Sequence, residues 1–183
     1  MSDRHPALAE RYRPDLLGIY LNDHLAGATA GTGLARRMAS SGRHRPRGAS
    51  IERLADEVAQ DRAALIEMMD VLGVPVRGYK AGLAWLGEKA ARLKLNGRIL
   101  ARSPLSILEE IEMLRLGVEG KAAGWRTLRV LADADTRLDR GRLDQLMARA
   151  RAQADLLEDL RVRAADDLVR LERNGAARSA ESE

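Results

Sequence analysis

The sequence predicts an all-α chain, folded as an up-down antiparallel bundle of four to five long helices. Three observations predict it. Apolar residues recur at spacings of three and four through nearly the whole chain, the period of a helix with one buried face. Glycine, proline and Asn-Gly pairs interrupt that pattern at only a few places, where helices should end. No run of β-branched or aromatic residues alternates for more than a few positions, so strands are not expected.

The elements follow in order. The first helix is expected over about 14–40, with Pro14 in the first turn, where no hydrogen-bond donor is lost. Gly42 and Pro46 punctuate the loop SSGRHRPRGAS. The second helix should start after Ser50, a good N-cap, and run to Leu72, where Gly73 and Pro75 stop it. The third covers about 76–95 and ends at Asn96-Gly97. The fourth has the clearest start, with Ser103 as N-cap and Pro104 at the first helical position, and runs to about Ala132. The fifth covers about 140–173, Asn174-Gly175 ends it, and the tail AARSAESE frays. Short connections make consecutive helices antiparallel neighbours. Residues 1–183 read as a single helical-bundle domain with its core at about 14–173.

Bulk composition narrows the class. The chain has 183 residues, 45% apolar and 32% charged, which suits a folded domain with a well-solvated surface. There is no cysteine, which removes disulfides, thiolate metal sites and cysteine nucleophiles together. The start lacks an apolar leader, and with the absent cysteine this fits a cytoplasmic protein. The longest weakly polar stretch, 16–35, contains Asn22, Asp23 and His24 and is a poor membrane span. The net charge of +4 comes from 31 basic and 27 acidic residues of well-mixed sign, a modest bias rather than a nucleic-acid signature.

Two glycine patches stand out inside helices. One is AGATAGTG, with Gly27 and Gly31; the other holds Gly117, Gly120 and Gly124. Each interior glycine costs about 1 kcal/mol relative to alanine, so close backbone approach is the expected reason. The first and fourth helices should cross tightly there, and Gly27→Leu or Gly31→Leu should force them apart. The alternative is that one patch breaks its helix. A phosphate loop at GATAGTG is not supported, because Thr32 rather than lysine follows Gly31 and a helix precedes it.

Polar residues interrupt the apolar seam at His24, Asp61, Lys121 and Gln153. Buried charge costs several kcal/mol per ion unless paired, so these four should pair or sit at a margin. Counting along the first hairpin sets His24 level with about Met68. Asp61 then lies two turns away, roughly 10 Å at 1.5 Å per residue. Lys121 is placed to bridge part of that gap. The cluster reads as a structural network fixing helix register, or else as a buried proton, anion or ligand site.

Metal and nucleic-acid chemistry are weaker. The histidines are His5, His24 and His44, and none follows a glutamate by three residues as a di-iron bundle requires. Glu109 and Glu112 form only a Glu-x-x-Glu pair, so no catalytic residue, metal ligand or cofactor is assigned. Arg36, Arg37, Arg43, His44, Arg45 and Arg47 gather at the first loop, with Arg98 and Arg102 near another. Stacking aromatics are few, so solvated arginines explain that surface better than RNA or DNA.

The segments YLNDHLAGATAGTGLARRMA and LADEVAQDRAALIEMMDVLG resemble the first helical hairpin of an uncharacterised bacterial group of ferritin-like bundles. WLGEKAARLKLNGRILARSPLS and EIEMLRLGVEGKAAGWRTL resemble it too. The resemblance implies a ferritin-like bundle and transfers no activity, since the Glu-x-x-His pairs of iron-binding members have no counterpart here. The leading expectation is a non-enzymatic bundle acting by protein association, as a homo-oligomer or with another protein, or as a small structural or stress-related protein. The alternative is a degenerate metal or small-ligand site using His24, Asp61 and Glu57. Nucleic-acid association through the arginine-rich first loop ranks third.

Overall fold

The computed structural model describes residues 14–42, 48–77 and 104–180. Among them are four helices and no strand: α1 (Pro14–Gly42), α2 (Gly48–Val71), α3 (Pro104–Leu131) and α4 (Arg140–Ala180). The predicted third helix lies outside the described residues from position 78 on; Val76 and Arg77, where it was to begin, belong to no helix. Ser103 also lies outside them. No described helix is long and apolar enough to cross a membrane.

The helix ends show which local signals acted. Gly73 takes a positive φ of 70°, where a glycine has no Cβ to clash. The Val74 amide then donates to the Met69 carbonyl at 2.8 Å, and the Gly73 amide to Asp70 at 2.9 Å. These two bonds form a Schellman cap, and the buried pair Val74 and Met69 supplies its apolar contact. Gly73→Ala should therefore cost about 1–2 kcal/mol in urea unfolding; a neutral result would show that the cap relaxes without the left-handed residue. At the start of α4 the Asp139 carboxylate accepts the Arg142 amide at 3.1 Å, an N-cap the sequence reading missed.

Two expected ends move. α2 starts at Gly48, so Ser50 sits inside its first turn instead of capping it. α4 does not stop at Asn174-Gly175 but runs to Ala180. A glycine ends a helix only where the chain turns left-handed there. Gly175 stays helical, at a propensity cost of about 1 kcal/mol.

The register is read from side-chain pairs. Arg62 Nε donates to Thr29 Oγ1 at 2.9 Å, and Asn22 holds the segment after α2 by accepting the Arg77 amide at 2.7 Å. Numbers rise on α1 as they fall on α2. Arg129–Asp144, Arg115–Glu158 and Arg161–Glu112 give the same opposed direction for α3 and α4. Tyr20–Thr127 does so for α1 and α3, together with His24 against Gly124. Glu67–Arg142 and Asp61–Arg149 do so for α2 and α4. α2 and α3 consequently run the same way.

The seam residues Leu21, Leu54, Val58, Leu65, Leu114, Val118, Leu128, Leu143, Leu146 and Leu157 form the buried core. Burying a leucine contributes about 1.5–3 kcal/mol, so these positions supply most of the drive. The seam fades along α4: Leu160 and Ala164 are only partly buried and Leu171 is exposed.

Candidate functional site

The heptad count puts Asp61 on the inward face of α2, and the structure leaves it 1% exposed. Its carboxylate gathers three side chains from two other helices. Lys121 of α3 and Arg149 of α4 each form an ion pair with it, one on each oxygen. Gln153 of α4, also 1% exposed, donates to the Lys121-bound oxygen at 3.2 Å and accepts from the Lys121 ammonium. The remaining amide hydrogen of Gln153 reaches Glu57 at 3.0 Å. One carboxylate thus ties α2, α3 and α4 together, and charge-assisted bonds of this kind are the strong ones. Burial pushes the Lys121 ammonium below its ordinary pKa, and Asp61 pulls it partly back.

Three of the four residues expected to cluster, Asp61, Lys121 and Gln153, therefore meet. His24 does not join them. It sits half-buried on α1, edge-on to Tyr20 with ring centroids 4.4 Å apart. The Tyr20 hydroxyl donates to Thr127 at 3.0 Å. The imidazole lies across Gly124, where an added Cβ would come within 3.1 Å of Nδ1.

The glycine patches behave differently from the expectation. Neither breaks its helix, and neither makes a tight backbone crossing. Among the described residues a Cβ added at Gly27, Gly31, Gly117 or Gly120 would meet nothing within 4 Å. Only Gly124 is crowded, and by the His24 ring rather than by backbone. The imidazole packs onto Gly124 between α1 and α3, and Gly27, Gly31, Gly117 and Gly120 face open space among the described residues.

That space is a cavity of about 410 Å³. Its walls are the glycine faces of α1 and α3, its floor is Val58, Asp61 and Leu65 of α2, and Lys121, Trp125 and His24 reach it. Volume and largely apolar lining match small-ligand sites. Trp125 is 2% exposed, and its indole Nε1 has no hydrogen-bond partner among the described residues. A second depression between α2 and α4 is spanned by the Arg142–Glu67 and Arg149–Gln60 pairs.

No protein-family model, curated protein or solved structure matches this chain. Among the described residues no three His, Asp or Glu side chains converge to hold a metal ion. Of the arginines read as a basic surface, Arg36 and Arg37 are exposed on α1, while Arg43, Arg45, Arg47, Arg98 and Arg102, with His44, lie outside the described residues. Glu109 and Glu112 stand on α3, away from the cavity walls.

His24 gives the site a pH dependence. Burial lowers its pKa from the ordinary 6.5, and the charge of Asp23 opposes this more weakly. The unfolded chain takes up its proton near 6.5, while the folded chain does so only at lower pH. The unfolded state then holds more protons in that window, so stability is complete above it and falls as pH drops through it. Urea unfolding at pH 7.5 and at about pH 5 should show this loss, and His24→Gln should flatten it. An equally steep loss in the variant would place the titration elsewhere.

Proposed function

We propose that this chain is a binding protein whose site is the glycine-lined cavity between α1, α2 and α3, and that it acts by holding an apolar small molecule. Of the functions expected from the sequence, the geometry favours the small-ligand site. The observation that carries this is the open space over Gly27, Gly31, Gly117 and Gly120. Four helical glycines lower helix stability without any close packing in return, and what they create is room. The opposed directions of neighbouring helices support an up-down bundle as the frame. The ferritin-like assignment rests on the sequence resemblance alone.

An apolar probe of naphthalene size tests the reading. Calorimetry should give one saturable site per chain with a negative heat-capacity change. At a hundredfold excess over Kd the probe should add about 2.7 kcal/mol to stability. Non-saturable heats and an unchanged melting temperature would remove the proposal.

A further inference from the structure

We propose that the ligand bears no anionic group and carries one neutral hydrogen-bond acceptor, such as a ketone, ester or amide carbonyl, which the indole N–H of Trp125 receives. The inference rests on the cavity being the binding site and names the chemistry of its guest.

Two independent observations carry it. The first is the Trp125 side chain. It lines the cavity, it is 2% exposed, and its one polar atom is without a partner among the described residues. Buried indoles ordinarily find an acceptor, because an unmade bond leaves the desolvation of the N–H uncompensated. Indole is donor only, so what completes it is an acceptor. No acceptor among the described residues lies within hydrogen-bond reach of it.

The second observation is the charge beneath the cavity. Lys121 and Arg149 balance Asp61 and Glu57, two cations against two anions, and all four belong to one connected network. His24 is biased by burial towards its neutral form. A carboxylate on the ligand would enter an apolar space whose two cations are already paired and which the Asp23 carboxylate also lines, a penalty that a neutral carbonyl avoids. The volume sets the scale: about 410 Å³ is well over twice the roughly 150 Å³ cavity that accommodates benzene. A fused two-ring or comparable skeleton fits.

Three probes of one skeleton separate the possibilities: acetylnaphthalene with a neutral acceptor, isopropylnaphthalene of the same shape without one, and naphthoate with a charge. Calorimetric titration of the full chain should rank acetylnaphthalene first, about five- to a hundredfold tighter than isopropylnaphthalene. The same titration should leave naphthoate weakest. Proton–nitrogen NMR on the wild-type chain should show the Trp125 indole N–H moving downfield with acetylnaphthalene and not with the hydrocarbon, a readout independent of any variant. Trp125→Phe should erase the preference for the ketone while hydrocarbon binding persists. Equal affinity for ketone and hydrocarbon, or an indole signal that does not respond, overturns the assignment of the acceptor while the cavity remains a binding site. Naphthoate binding tightest overturns the exclusion of an anion. Failure of all three to bind overturns the cavity as a site, and this inference with it.

Discussion

Asp61→Ala is expected to lower stability by about 3 kcal/mol, within the range for breaking one side of a buried pair. For a chain of this size that is a fall of roughly 6–12 °C in melting temperature. The carboxylate is 1% exposed and receives Lys121, Arg149 and Gln153. Its loss leaves the Lys121 ammonium on α3 without its ion-pair partner and one Gln153 amide hydrogen on α4 without its acceptor. Arg149 is partly exposed and can turn to water, so the damage concentrates at Lys121. With Asp61 gone, Lys121 loses the attraction that opposes its desolvation, and its pKa should fall further. Asp61→Leu combined with Lys121→Met should recover much of the loss, because apolar residues of similar volume replace buried pairs at little cost. A double-mutant cycle measures the coupling. A value within about 0.3 kcal/mol of zero would show that the contact fixes nothing.

The glycines should respond in the opposite direction. Gly27→Ala, Gly31→Ala, Gly117→Ala and Gly120→Ala should each stabilise by about 0.5–1 kcal/mol, since alanine is the better helix former and the Cβ meets no atom. Together they should add about 2–4 kcal/mol, a rise readily seen in urea unfolding. A tight crossing would make the same four changes destabilising. Gly124→Ala is the internal contrast. Its Cβ must displace the His24 ring from 3.1 Å, so it should be neutral or harmful despite the same gain in helix propensity.

Much of the architecture was legible because it is periodic. The spacing of Leu54, Val58, Asp61, Leu65 and Met68 fixed one face of α2, and that face is the buried one. The same count put Lys121 and Gln153 inward, and burial of charge without pairing is costly enough that they had to meet. Axial counting set His24 about two turns from Asp61, and the Arg62–Thr29 bond gives that same register. What periodicity does not encode is separation between helices. Glycine at 27, 31, 117 and 120 is compatible with backbones in contact or with a void, and only the neighbouring side chains decide. Here the His24 ring on Gly124 decides it. The signal was an aromatic-sized residue on the same stripe as the small ones, seven residues before Gly31. Arg149 was missed because it lies four residues before Gln153 on a half-exposed position, where an arginine reads as solvated surface. The end of α4 was misread because Asn-Gly is a stop signal only where the backbone is free to turn left-handed.

The most direct test of the central claim fills the cavity and asks whether binding goes with it. Gly31→Leu and Gly120→Leu together place two side chains into the space between α1 and α3. The variant should melt at or above the wild-type temperature and show no calorimetric binding of acetylnaphthalene, whereas the wild-type chain binds one equivalent. Undiminished binding by the folded, filled variant would contradict the account.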